Sequence, residues 1–221
     1  MQALPTSYKA RLVPTDGMIH AFKATEAFMN KCRVIVLALI IALVVPAFTV
    51  AQEGNRGVLF QIGAGAGFPI YPSATEAAFS YLESMPGVNR LQISLDIAFG
   101  YALSQHGYLL ARVDGIADRL YDSADYIQMN CYLYSIGYRY YPMVTGLYLE
   151  GNAGASRGVL QSSASETSTS DFGFGYGAAI GYDFNTKARG LGLNLEAKYD
   201  GLTIENDQVG GLMLTLDLCW K

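Results

Sequence analysis

The chain reads as all-β: an eight-stranded antiparallel up-and-down transmembrane β-barrel, preceded by a signal-peptide helix. Three observations point there. The dominant periodicity beyond residue 57 is two rather than 3.6. It recurs in eight segments of about nine to fifteen residues, where a membrane strand needs roughly nine to eleven and a globular strand averages about five or six. Composition agrees: 51% of the 221 residues are apolar and 15% charged, with 24 Gly, 16 Tyr and 10 Phe. An ordinary soluble domain is roughly 25% charged, so this balance excludes a disordered chain and a nucleic-acid binder, while aromatic residues suit strands.

The first 51 residues stand apart. Met29-Asn30-Lys31-Cys32-Arg33 is a basic start, and Val34 to Val45 is an uninterrupted apolar run of twelve ended by Pro46. Thr49 and Ala51 then place small residues at the two positions a signal peptidase reads. Twelve helical residues rise only about 18 Å, short of a roughly 30 Å hydrocarbon core, so residues 29–51 read as a cleaved signal peptide rather than an anchor. Residues 1–28 show no periodicity and read as an upstream extension or a misassigned start, given the internal Met18 and Met29. Residues 52–221 make the barrel. They hold ten Lys/Arg and seventeen Asp/Glu, formally −7, which offers nucleic acid no counter-charge.

Leu91 to Leu103 is the clearest strand, with Leu91, Ile93, Leu95, Ile97, Phe99, Tyr101 and Leu103 on one face and Gln92, Ser94, Asp96, Ala98, Gly100 and Ala102 on the other. Val58 to Phe68 sets Phe60, Ile62 and Phe68 against Gln61, Gly63, Gly65 and Gly67, and Phe172 to Phe184 alternates aromatic and aliphatic residues with glycine. Leu109 to Ala117, Ile127 to Tyr141, Leu147 to Ala155, Leu191 to Tyr199 and Val209 to Trp220 complete the set. In the fourth strand Ser135, Gly137 and Arg139 suggest one inward set and Gln128 and Asn130 the other, which a β-bulge would reconcile. The connections Pro69 to Arg90, Asp118 to Asp125, Arg157 to Asp171 and Asp200 to Gln208 are longer than the intervening Ser104 to Gly107, Pro142 to Gly146 and Asn185 to Gly190. Barrels of the outer membrane alternate in the same way, with short inner turns and longer outer loops.

The second face decides which way the apolar face looks. A soluble carrier barrel would line its cavity with the apolar face and show Lys, Glu and Thr to water. Here the second face is Gly, Ala, Ser and Asn, with isolated charges at Asp96, Arg112, Asp114, Arg139, Glu150, Asp183, Glu196, Lys198 and Asp217. Eight strands about 4.8 Å apart and tilted about 40° close a backbone cylinder roughly 16 Å across, narrow enough for such side chains to fill. Inside it the cations pair with the acids, since buried charge must find a partner. Leu, Ile, Val and Phe then face lipid. Tyr101, Tyr108, Tyr140, Tyr141 and Tyr182 at one end and Tyr71, Tyr121, Tyr126 and Tyr199 at the other read as two aromatic girdles.

The signal peptide, the eight alternating segments, the run Gly63-Ala64-Gly65-Ala66-Gly67, the stretch Ile136-Gly137-Tyr138-Arg139-Tyr140-Tyr141-Pro142 and the final strand resemble the small outer-membrane barrels of the outer-membrane-protein-A and outer-membrane-protein-X type. Leu212, Leu214, Leu216, Leu218 and Trp220 alternate like the terminal signal that the resemblance says is read by the barrel-assembly machinery; Lys221 departs from the family habit of ending on the aromatic. The resemblance implies a monomer in outer-membrane lipid, exported through a cleaved signal peptide, with that machinery as its partner in biogenesis.

Chemistry is sparse. Cys131 and Cys219 fall on strands four and eight, half a circumference apart, and read as free thiols because disulfide Cα atoms are rarely beyond about 6.8 Å. His106 is the single histidine after residue 51; it sits in an inner turn, whereas lipid A-modifying barrels carry their serine and histidine at the outer leaflet. Asp118, Asp122 and Asp125 lack calcium-loop spacing and read as a solvated acidic loop. Ser73-Ala74-Thr75-Glu76 reads as a capping box for a short helix over Ala77 to Met85, whose Ala78, Phe79, Leu82 and Met85 either pack on the rim or meet an extracellular partner. Gln161 to Ser170 reads as an exposed, mobile loop. The expectation is an integral outer-membrane barrel of structural or surface-interaction type, filled rather than a general porin, without catalytic site, cofactor, metal or nucleic-acid partner. A soluble periplasmic lipid-binding barrel, a lipid A-modifying enzyme and lateral passage of a small apolar compound between glycine-rich strands one and six are the competing readings.

Overall fold

A period of two puts every apolar residue of an extended chain on one face, and pairing such segments in antiparallel order leaves one apolar and one polar surface. The computed structural model describes residues 57–143, 146–163, 166–184 and 190–221; the signal peptide and the upstream stretch lie outside the described residues. The elements are β1 (Val58–Ile70), α1 (Ser73–Glu83), β2 (Asn89–Ser104), β3 (Gly107–Tyr121), β4 (Tyr126–Tyr140), β5 (Leu147–Ser162), β6 (Ser168–Thr169), β7 (Gly173–Asp183), β8 (Leu191–Ile204) and β9 (Asp207–Trp220). Sequential long strands pair antiparallel, β5 pairs with both β4 and β7, and β1 pairs with β9, so eight strands close on themselves. Closure removes the edges that would otherwise template aggregation. The two-residue β6 rides on β5 through Val159↔Thr169 and Leu160↔Ser168. We call the end carrying α1 and β6 the loop end, and the end holding Gly57 and Lys221 the terminal end.

The strands run further toward the loop end than their hydropathy suggests. β3 continues to Tyr121, β5 to Ser162 and β8 to Ile204, because backbone pairing persists where the outward residues turn polar and the apolar alternation stops. The connection after β3 therefore shrinks to residues 122–125, and β8 joins β9 through the two-residue turn Glu205-Asn206. Glu205 takes φ 57° there, the left-handed conformation that short hairpins demand. The rule of longer connections at the loop end fails at this turn and at 122–125, which is shorter than the terminal-end connection between β4 and β5. The register of β4 also resolves without a bulge: pairing runs unbroken from Gly107↔Tyr140 to Tyr121↔Tyr126 and from Ile127↔Ser162 to Tyr140↔Leu149. Cys131, Leu133, Ser135, Gly137 and Arg139 point inward. Gln128 and Asn130 point outward, and Gln128 Nε2 donates to Asn130 Oδ1 at 2.7 Å.

The helix forms, but not through a capping box. Pro72 is the N-cap, no side chain caps the helix, and Ser73 is already its first residue; the Pro72 carbonyl accepts the Glu76 N–H at 3.0 Å. Phe79 and not the whole apolar set docks the helix, stacking on Tyr71 with centroids 5.2 Å apart, while Ala78 and Met85 are exposed and Leu82 is half-buried. The Ser/Thr-rich stretch is exposed at Ser163 and from Glu166 to Thr169, but it is not a plain loop. Gln161 and Ser162 end β5, Ser168 and Thr169 form β6, and Ser170 is buried, its Oγ accepting from Gly158 N at 2.9 Å.

Candidate functional site

The inward faces fill the barrel in three layers. At the terminal end Leu59, Ala102, Tyr108, Leu110, Tyr141, Tyr148 and Cys219 form an apolar cluster. At the loop end Tyr71, Cys131, Leu133, Leu202, Ile204 and Val209 form another. An ionic cluster lies between them. Tyr108 and Tyr141 therefore do not belong to a lipid-facing girdle: strand parity turns them inward, whereas Tyr101, Tyr140 and Tyr182 remain outward. Tyr71 is likewise buried, beneath Phe79. Both cysteines are buried free thiols, one in each apolar layer.

Arg112 on β3 is the hub of the ionic layer. It reaches Asp114 on its own strand at 2.9 Å, Asp96 on β2 at 3.3 Å and Glu150 on β5 at 2.8 Å, and pairs with Glu196 on β8. Arg139 on β4 joins Glu150 at 2.7 Å and Glu196 at 3.2 Å, and lies over the Tyr148 ring at 4.0 Å. Lys198 on β8 joins Asp96 at 2.9 Å and Asp114 at 2.6 Å. These groups are essentially out of contact with water. Three cations and four carboxylates from five strands thus form one network, which a low-dielectric interior requires, because an unpaired charge there costs several kcal/mol.

Asp217 enters the network indirectly. Gln61 Nε2 donates to it at 2.9 Å, while Gln61 Oε1 accepts from Arg139 Nη1 at 2.9 Å. Asp183 stays outside, at the terminal end, where it pairs with Lys221. That contact explains the residue after the terminal aromatic: Trp220 faces out, so Lys221 faces in, lying 5.1 Å from the Tyr141 ring centroid. Leu212, Leu214, Leu216 and Leu218 face outward with Trp220. Gln61 and Tyr148, which donates to Glu196 at 2.8 Å, are network members that the search for inward charges does not find, although both share the inward parity of their strands.

Asp118, expected in a solvated loop, is instead a buried residue of β3, held by Arg90 at 2.7 Å. Asp118 has the same parity as Arg112 and Asp114. Arg90 also reaches Glu83 at 3.1 Å and Glu76 at 3.5 Å and lies over Phe79 at 5.4 Å, so one side chain ties α1 to the barrel wall. Arg90→Ala is expected to raise proteolytic cleavage in the 71–88 connection about tenfold and to cost roughly 1–2 kcal/mol, read by limited proteolysis of the folded chain. Asp122 remains exposed in an Asx turn. The N–H groups of Asp125 and Ala124 hold its carboxyl below the usual carboxylate range. Among the described residues no group of three His, Cys, Asp or Glu is arranged to hold a metal ion. His106 is half-buried, its Nδ1 2.8 Å from the Tyr141 carbonyl oxygen at the terminal end.

The outer surface has the opposite character. Leu95 is 56% and Ile97 50% exposed, and the outward run Leu109 to Ala117 spans roughly 21 Å along the barrel axis for strands tilted about 40°, close to the about 25 Å apolar band of such barrels. An apolar belt outside and sealed ions inside define a small transmembrane β-barrel with a plugged lumen. The fold is that of solved outer-membrane barrels. The attachment invasion locus protein Ail of Yersinia pestis superposes with a TM-score of 0.53 at 14% identity, over 76% of this chain and 100% of that one. The Neisserial surface protein A superposes with a TM-score of 0.52 at 16% identity, over 76% of this chain and 99% of that one. No family model and no curated protein sequence matches the chain.

Proposed function

We propose that the protein is a monomeric, integral barrel of the bacterial outer membrane that acts as a structural or surface-interaction protein and conducts no general solute flux. The observation that carries this reading is the pairing of an outward apolar belt with a lumen sealed by two apolar layers around the Arg112 network. A carrier barrel needs the reverse polarity, an apolar hollow inside and a solvated surface. A lipid-modifying activity has less support, because the His106 ring is engaged by a backbone carbonyl at the end away from the loops. In this reading residues 29–51 direct export, and the assembly machinery reads the alternating Leu212 to Trp220 strand. The exposed Tyr81 on α1 and Met85 just beyond its end are then presented to an extracellular partner.

The test is fractionation of cells that express the full chain. The barrel is expected to resist carbonate extraction, to migrate faster in unheated than in heated detergent gels, and to be cleaved by external protease in the connection between β5 and β7. In planar bilayers it should give no porin-sized conductance. Recovery in the soluble fraction with bound fatty acid would overturn the proposal.

A further inference from the structure

We infer that Arg119 and Arg157 form a binding site for the phosphate of outer-leaflet lipid headgroups, on the wall of β3 to β5 at the loop-end boundary of the apolar belt; this rests on the membrane reading above. On three neighbouring strands the outward apolar run has the same extent: Leu109 to Ala117 on β3, Tyr132 to Tyr140 on β4 and Leu147 to Ala155 on β5. The next outward residue toward the loop end is Arg119, Asn130 and Arg157, respectively. Polar side chains thus begin at one level across three strands, with Asn130 buried and the two arginines half-buried, as they must where acyl chains give way to headgroups.

The two arginines differ from the other described cations. Arg90, Arg112, Arg139, Lys198 and Lys221 each have a carboxylate within ion-pair distance. Among the described residues Arg119 and Arg157 have none. Each guanidinium lies on an aromatic face instead, Arg119 over Tyr126 at 4.2 Å and Arg157 over Phe172 at 4.8 Å. Arg157 Nε donates to the Ser170 carbonyl at 3.1 Å, whereas Arg119 Nε is buried with no hydrogen-bond partner. Stacking holds a guanidinium in place while its two terminal Nη groups remain available for a bidentate oxyanion. The anion that lipids carry at this depth is the phosphate ester, and its attraction to surface cations is strongest beside a low-dielectric layer. By strand spacing and rise the two Cα atoms are roughly 17 Å apart, so each arginine takes its own phosphate.

Native mass spectrometry of the full chain released from micelles tests this, with phosphatidylglycerol and a diacylglycerol of the same chains supplied in equal amounts. The wild type is expected to retain the phosphorylated lipid about tenfold over the uncharged one, and glycerol 3-phosphate should not displace it. In the R119Q/R157Q double variant the preference should fall to about equal retention, with the heat-dependent gel shift confirming an intact barrel. An undiminished preference in the variant, or displacement by glycerol 3-phosphate, overturns the site. A wild-type chain that inserts into vesicles without lipid preference refutes this inference alone; a chain that never inserts refutes the membrane reading together with it.

Discussion

Arg112→Met is expected to destabilise the barrel by about 3–5 kcal/mol, the range for removing one partner from a buried ion network. The reason is the number of groups it leaves behind. Arg112 contacts carboxylates from four strands, and only Arg139 and Lys198 remain to face Asp96, Asp114, Glu150 and Glu196. Neither can take over the whole load: Arg139 reaches Glu150 and Glu196, and Lys198 reaches Asp96, Asp114 and Glu196. The apolar layers above and below exclude the water that would otherwise hydrate the orphaned acids. Urea unfolding of vesicle-embedded protein, followed by gel mobility, measures the effect. Combining Arg112→Met with Asp114→Asn and Glu196→Gln should recover a large part of the loss, since this leaves Arg139 paired with Glu150 and Lys198 with Asp96. A single variant within about 1 kcal/mol of wild type would show that water reaches this layer.

Strand parity made most of this readable in advance, and its failures have one physical source. Alternating hydropathy reports the solvent outside the barrel, so it is informative only where that solvent is lipid. Within the belt it assigns Asp96, Arg112, Glu150 and Glu196 to the interior, where they are found. Beyond the belt both faces are polar, and Asp118 and Arg90 look like loop residues although β2 and β3 continue through them. The same blindness splits β4, whose outward Gln128 and Asn130 sit above the belt. Aromatic residues deceive in the other sense. Tyr108 and Tyr141 look like girdle residues by composition, and only their parity shows that they plug the lumen. Glycine on the inward face marks space rather than flexibility: a Cβ at Gly63 would overlap the Asp217 carboxyl, and one at Gly181 would overlap the Tyr148 ring. No spacing rule predicts which long side chain fills the gap a glycine leaves, so Gln61 and Tyr148 emerge only from the assembled barrel.

Ile97→Arg is expected to cost about 2–4 kcal/mol and Asn89→Arg about 0–1, the depth dependence of a cation on a lipid-facing strand. Both residues face outward on β2, Ile97 at the middle of the run Leu91 to Leu103 and Asn89 at its loop-end limit. Ile97 is flanked by Ile62 on β1 and Val113 on β3, so an arginine there must place its charge among acyl chains or stretch toward one interface at the expense of packing. Asn89 is already beside the headgroups, and an arginine there keeps its hydration. A surface facing water would respond in the opposite way, since replacing a half-exposed isoleucine by arginine in water is nearly neutral and lowers aggregation. Unfolding free energies in vesicles give the comparison directly: equal costs at the two positions would mean that the belt does not sit in lipid. The difference between the two variants also cancels any shared loss of β propensity and leaves depth as the remaining variable.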